Sequence, residues 1–334
     1  MPMTMKDVAL RAGVSFSTVS HVLNNTRYVS EELRTKVLKA MEDLGYTPNQ
    51  LARSLRSGKT GIIGMVVPDT SNPFFGRVAY RVQSACFSKG YTVVFSNSDG
   101  NFEKEKIYTK ALIERHVDGI IFIAGGKSLE HLDAIQNHNI PILIADREVN
   151  SPNLDSVISD HKGGGHIAAQ HLIDLGHSRI GCITGASSVT PSADRVVGYR
   201  EALKKAGLKL DESLILRGNY EFESGYQNGR KLLLMKKPPT AIFACNDLMA
   251  IGVIRAANEL GFKVPHNLSV VGFDNVHFSK YCSPPLTTVH QAKEQMANVA
   301  VDMLIERINN PQLKTRKKVL NTRLIIRQST TIHQ

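Results

Sequence analysis

A chain of 334 residues is long enough for two or three domains with substantial cores. Its 42% hydrophobic and 21% charged residues suit an ordinary globular protein, and no apolar run reaches the ~18 residues of a membrane-spanning helix. The excess of 41 Lys and Arg over 30 Asp and Glu, a net charge of +11, favours a polyanionic partner. The start MPMTMKDVALRAG lacks a signal peptide's apolar core. Cys86, Cys182, Cys245 and Cys282 are scattered, with no CxxC and no metal spacing, so reduced thiols in a cytoplasmic protein are expected.

Residues 1–46 predict three short helices. Thr4 caps the first with Asp7 as its capping-box partner, and GVS at 13–15 breaks it. Ser15 starts a second helix, with Val19 and Val22 facing inward. Ser30-Glu31-Glu32 opens a third, with acid at its positive end; Leu33, Val37, Met41 and Leu44 form its apolar stripe and Gly45 stops it. Helix, glycine turn, helix and supporting helix is the pattern of a helix-turn-helix. The second helix carries Ser15, Ser17, Thr18, Ser20 and His21, where most amphipathic helices carry Lys and Glu. Small hydrogen-bonding groups of this kind suit close approach to another polar surface. TPNQLARSLRSGKT, 47–60, is a helical candidate opened by Pro48 and too short to be stable alone in water.

From Gly61 onward short apolar runs alternate with helical patterns. GIIGMVV, YTVVFS, DGIIFIA and IPILIAD come first; after a glycine-rich turn expected at 163–165 follow RIGCITG, SLILRG, TAIFACND and LSVVGFD. Nearly continuous apolar runs are expected of parallel strands buried on both faces. Two such sets predict two similar α/β lobes. Polar residues cluster just past the strand ends, at 69–75, Asp146-Arg147, Asn246-Asp247 and Asp274, where open parallel sheets bind ligands.

Other patterns carry no chemistry. AGGKS at 124–128 has Ile121 where a phosphate loop needs its first glycine. His161, His166, His171 and His177, spaced by five and six, scatter around a helix, so no metal site is expected. No Ser-His-Asp pattern or nucleophile elbow appears, and no catalytic residue or cofactor is assigned.

KDVALRAGVSFSTVSHVLN followed by LGYTPNQLARSLRSGKTGIIG resembles the Lac repressor family, and the resemblance continues through the rest of the chain. It implies a ligand-controlled transcriptional regulator with a DNA-binding head at 1–46, a hinge helix and linker at 47–60 and an effector-binding core at 61–334. The core would have an N-lobe of about 61–161 plus 293–322 and a C-lobe of about 162–292 plus 323–334, both similar to periplasmic sugar-binding proteins. By resemblance, Phe16, Ser17 and His21 face base edges, while Ser15, Thr18, Ser20 and Asn24 face phosphates and Arg27 contacts backbone or base. Phe16 departs from the Tyr or Thr of many relatives; it can touch a thymine methyl but cannot hydrogen-bond a base. In the hinge, Leu55 flanked by Arg53 and Arg56 fits the family's minor-groove wedge.

The carry-over to the core is closest to ribose binders. Asn72, Phe74 and Phe75 would bond and sandwich a sugar ring, Asp146 and Arg147 would hold its hydroxyls, and Arg195, Asn246, Asp274 and Gln291 would complete the polar set. Tyr220 falls at a stacking position that is Phe in ribose binders, and Ala124-Gly125 replaces an Asn. SSVTPSADR lacks the additional arginine that purine-responsive relatives carry ahead of the one matched by Arg195. The expectation is therefore a repressor of ribose or pentose utilisation that binds double-stranded operator DNA. Another sugar, a nucleoside or a purine is the alternative within the family; a sugar receptor or sugar-processing enzyme is the alternative outside it. The chain lacks a leucine-rich helix after RLIIRQSTTIHQ, so a homodimer is expected.

Overall fold

A computed structural model describes residues 3–24, 27–46, 59–123, 132, 135, 138–147, 154–185 and 190–333. Met1–Thr60 and Gly61–Gln334 form two separate compact units. The expected hinge residues Arg53, Leu55 and Arg56, like Ala124 and Gly125, lie outside the described residues.

The first unit contains α1 (Met5–Ala12), α2 (Phe16–Asn24) and α3 (Glu31–Leu44). Thr4 and Asp7 form the reciprocal capping box, and Gly13 takes the left-handed conformation that ends α1. The Ser15 hydroxyl accepts from the Thr18 N–H at 3.1 Å, satisfying one of α2's first free donors. Val8, Ala9, Val19, Val22, Val37 and Ala40 meet in one small core.

The second unit holds two six-stranded sheets. The first runs β11-β5-β4-β3-β1-β2 and is parallel throughout. Its strands are β1 (Ile62–Val67), β2 (Thr92–Asn97), β3 (Gly119–Ile123), β4 (Ile142–Ala145), β5 (Asp155–Ser159) and β11 (Lys317–Leu320). Helices α4 (Pro73–Ser88) and α5 (Phe102–Glu114) alternate with these strands. The second sheet runs β12-β10-β9-β8-β6-β7, from β6 (Ile180–Thr184), β7 (Ile215–Arg217), β8 (Ala241–Ala244), β9 (Ser269–Asp274), β10 (Thr287–His290) and β12 (Arg323–Ile325). Only the β10–β12 pair is antiparallel. Its helices are α6 (His161–Asp174), α7 (Thr190–Lys205), α8 (Phe222–Leu233) and α9 (Asp247–Glu259); α10 (Lys293–Asn309) returns to pack on α4 and the first sheet. Along the described residues the chain crosses between the sheets three times: after β5, β10 and β11.

All eight anticipated apolar runs form strands. Two are less enclosed than expected, because β2 and β7 are sheet edges with partly exposed residues. The expected turn at 163–165 is the first turn of α6 instead. Asp160 caps this helix by accepting from the Gly163 N–H at 2.8 Å. A Cβ at Gly165 would lie 2.0 Å from the Arg195 carbonyl oxygen, and one at Gly198 would lie 2.0 Å from that of Lys162. These glycines let α6 and α7 cross backbone to backbone, which brings Arg195 to the sheet edge.

Candidate functional site

A cleft in the second unit collects seven of the ten expected ligand residues: Asn72, Phe74, Phe75, Asp146, Arg195, Tyr220 and Asp274. Pro191 joins them, unanticipated by the sequence reading. The cleft encloses about 330 Å³, near the lower bound of small-molecule pockets. Asn72 is the N-cap of α4, accepting from the Phe74 N–H at 3.0 Å, and Pro73 opens the helix. That turn sets the Phe74 and Phe75 rings edge to face, 5.2 Å between centroids.

Asp146, Tyr220 and Asp274 all lie at positive φ, 58°, 72° and 108°. Non-glycine residues are uncommon there, and such strain concentrates where a fold must aim a side chain. Tyr220 also needs Gly185: a Cβ there would lie 2.0 Å from its Cζ. Asn246 caps α9 by accepting from Met249 N–H and donates to the Tyr220 carbonyl, so its amide is already partly used in building the wall.

Buried charge is concentrated around Arg195. Its Nη1 donates to the Cys245 carbonyl and lies 3.6 Å from Asp274 Oδ1, while its guanidinium lies 3.8 Å above the Phe273 ring. Gln291 Nε2 donates to Asp274 Oδ1 at 2.7 Å, and its Oε1 is buried without a hydrogen-bond partner. Lys293, at the start of α10, donates to the carbonyls of Asp274 and Asn275 and reaches over Phe74 at 5.9 Å. Burial raises the Asp274 carboxyl to about 6, against the pull of Arg195 and Lys293. Arg147 is buried beside Asp146; burial lowers its pKa and the charge of Glu105 opposes that.

Behind the cleft, Asp247 accepts from Val276 N–H at 2.7 Å and from the Thr288 hydroxyl. Burial, reinforced by Asp274, pushes its carboxyl up to about 8. A carboxyl raised in the folded state favours the protonated fold, so its contribution is complete below about pH 4 and lost as pH climbs through 8. Asp247→Asn can still accept from Val276 and can donate to Thr288. Its unfolding midpoint is expected to depend less on pH than the wild type's between about pH 4 and 8 and to exceed it at pH 8, as thermal melts across that range would show.

In the first unit, Phe16 and Ser17 are exposed at the start of α2, and His21 is half-buried one turn on. Thr18 and Asn24 are half-buried, and Ser15 and Arg27 are exposed. Ser20, expected at a phosphate, is only 6% exposed, and Asn24 Nδ2 donates to its carbonyl at 2.8 Å. Inward packing between Val19 and Val22 takes this hydroxyl away from the outer face.

The family model described as "Bacterial regulatory proteins, lacI family" matches residues 4–49, and a "Periplasmic binding protein-like domain" matches 169–330. The HTH-type transcriptional repressor PurR of Photobacterium profundum is 39% identical over 327 residues, covering 98% of each chain. The chain belongs to the LacI family. The Lac repressor dimer bound to operator and the anti-inducer ONPF is similar across 99% of this chain and all of that one, with TM-score 0.89 and 30% identity. A LacI family transcriptional regulator from Enterococcus faecium with bound ribose covers 82% of this chain and all of its own, with TM-score 0.76 and 28% identity. This LacI-family chain is a ligand-responsive, DNA-binding repressor and not an enzyme. Family membership brings its partners: operator DNA, a small-molecule effector and a second copy of the chain. Among the described residues no helix is long and apolar enough to cross a membrane.

Proposed function

We propose that this repressor answers to a small sugar, a pentose such as D-ribose first, and controls genes for its use from the cytoplasm. The observation that carries this reading is the composition of the cleft: aromatic walls from Phe74, Phe75 and Tyr220 around the buried ions Asp146, Arg195 and Asp274. C–H faces of a sugar ring stack on aromatics, and its hydroxyls both donate to carboxylates and accept from a guanidinium. Arg147, Asn246 and Gln291 supply further groups beside the lining residues. The regulator from Enterococcus faecium with bound ribose supports the same choice.

A purine is the second reading, favoured by the name PurR on the curated relatives. A nucleobase offers fewer hydrogen-bond donors than a polyol to the two buried carboxylates, and SSVTPSADR lacks the additional arginine noted above. Calorimetric titration of the full chain with pentoses, hexoses and purines decides between them. Saturable binding of D-ribose supports the sugar; binding of hypoxanthine or guanine alone replaces it with the purine.

On DNA, two heads from a dimer enter successive major grooves of a near-palindrome with half-sites about one helical turn apart. Phe16, Ser17 and His21 read bases; Ser15, Thr18 and Asn24 hold phosphates, with Arg27 beside them. Leu55, with Arg53 and Arg56, wedges into the minor groove. Closure of the lobes on effector changes the spacing of the heads. His21→Ala is expected to cost about 1–3 kcal/mol at one base pair and relax specificity there. Equal losses on operator and random DNA, measured by fluorescence anisotropy, would remove His21 from the base-reading set.

A further inference from the structure

We propose that His161 is a positioning residue of the effector site, linking Asp146 and Arg195 across the two lobes. It rests on the reading of the cleft as that site. His161 opens α6 on the first crossing between the sheets and is 4% exposed. Its Nδ1 accepts from Arg195 Nε–H at 3.3 Å, which leaves the ring proton on Nε2, 3.1 Å from Asp146 Oδ1. Asp146 follows β4 of the first sheet, while Arg195 lies on α7 beside the second. One imidazole therefore joins the anion of one wall to the cation of the other. Its face lies toward Phe273, 6.1 Å between centroids, the same ring that Arg195 covers. A spacing of five from His166 hid this role: the partners of His161 come from distant segments, not from other histidines.

The relay requires one acceptor and one donor on a single side chain at fixed reach. His161→Gln retains both; His161→Phe keeps the ring and loses both. Pulsed electron spin resonance between labels at Lys110→Cys on α5 and Lys204→Cys on α7 reads lobe separation without any ligand. Cys282→Ser serves as the background, since the other three cysteines are fully buried. The wild type and His161→Gln should show one narrow distance distribution, and His161→Phe a broader or displaced one. In parallel titrations D-ribose should bind His161→Phe about tenfold or more weakly than the wild type, and His161→Gln within about threefold. An unchanged distance distribution in His161→Phe overturns the relay. Should D-ribose bind none of the proteins while His161→Phe still broadens the distribution, the sugar reading falls and the relay stands. If His161→Phe does not fold, His161→Leu takes its place with the same expected results.

Discussion

Asp274→Asn and Arg195→Met should each weaken effector binding by about a hundredfold or more while leaving the affinity of the free repressor for operator within about threefold. The size follows from the pairing: removing one member of a buried charge pair costs about 3–5 kcal/mol, because the other is left without compensation. Arg195 lies 3.6 Å from Asp274 and has nearly no exposure to water that could replace it. The two variants should differ in their response to pH. In the wild type, protonation of Asp274 below about pH 6 removes an acceptor for effector hydroxyls, so affinity should fall as pH drops through that value. Asp274→Asn lacks this titration and should lose that component of the dependence. Calorimetry of both variants between pH 5 and 8 (a range of about three units around the unperturbed histidine value) checks each point. A variant binding effector like the wild type would place its residue outside the effector contacts.

The second large effect is structural. Gly165→Ala places a methyl carbon 2.0 Å from a backbone oxygen of α7, and backbone cannot step aside as a flexible side chain can. Overpacking of this kind should cost about 3 kcal/mol, lowering the melting temperature of a core this size by roughly 6–12 °C. Gly207→Ala is the control. Its added methyl meets nothing within 4 Å, but its φ of 68° lies in the left-handed region. It should lose only about 1 kcal/mol from backbone strain. Similar melting temperatures for the two variants would show that the α6–α7 crossing is looser than the backbone distances imply.

These glycines show where sequence reading reached its limit. Strands such as IIGMVV and GIIFI announce themselves because burial on both faces demands unbroken apolar runs. DSVIS, TTVH, KKVL and RLI do not, since short strands near the lobe crossings carry polar residues that are satisfied by the crossing chain. Gly163-Gly164-Gly165 looks like a turn when only local propensity is considered. A turn and a close helix crossing use the same residue for different reasons, and only the second needs a partner 30 residues away.

The cleft was legible to a similar depth. Asn72, Phe74 and Phe75 stand together in one short motif, and Asp146, Asn246 and Asp274 follow recognisable strands. His161, Phe273 and Lys293 carry no such mark. Each works by filling a gap between groups that converge only after the two sheets are joined. Ser20 errs in the other direction: a hydroxyl in a hydroxyl-rich helix was assigned to the outer face, yet Val19 and Val22 on either side turn it inward.

The central claim is that a pentose held in this cleft controls operator binding. Operator affinity of the full dimeric chain, measured by fluorescence anisotropy on its own near-palindromic site with and without saturating D-ribose or hypoxanthine, tests it most directly. A change of about tenfold or more with D-ribose, and none with hypoxanthine, is the predicted result. Operator affinity that ignores D-ribose and follows hypoxanthine would contradict it.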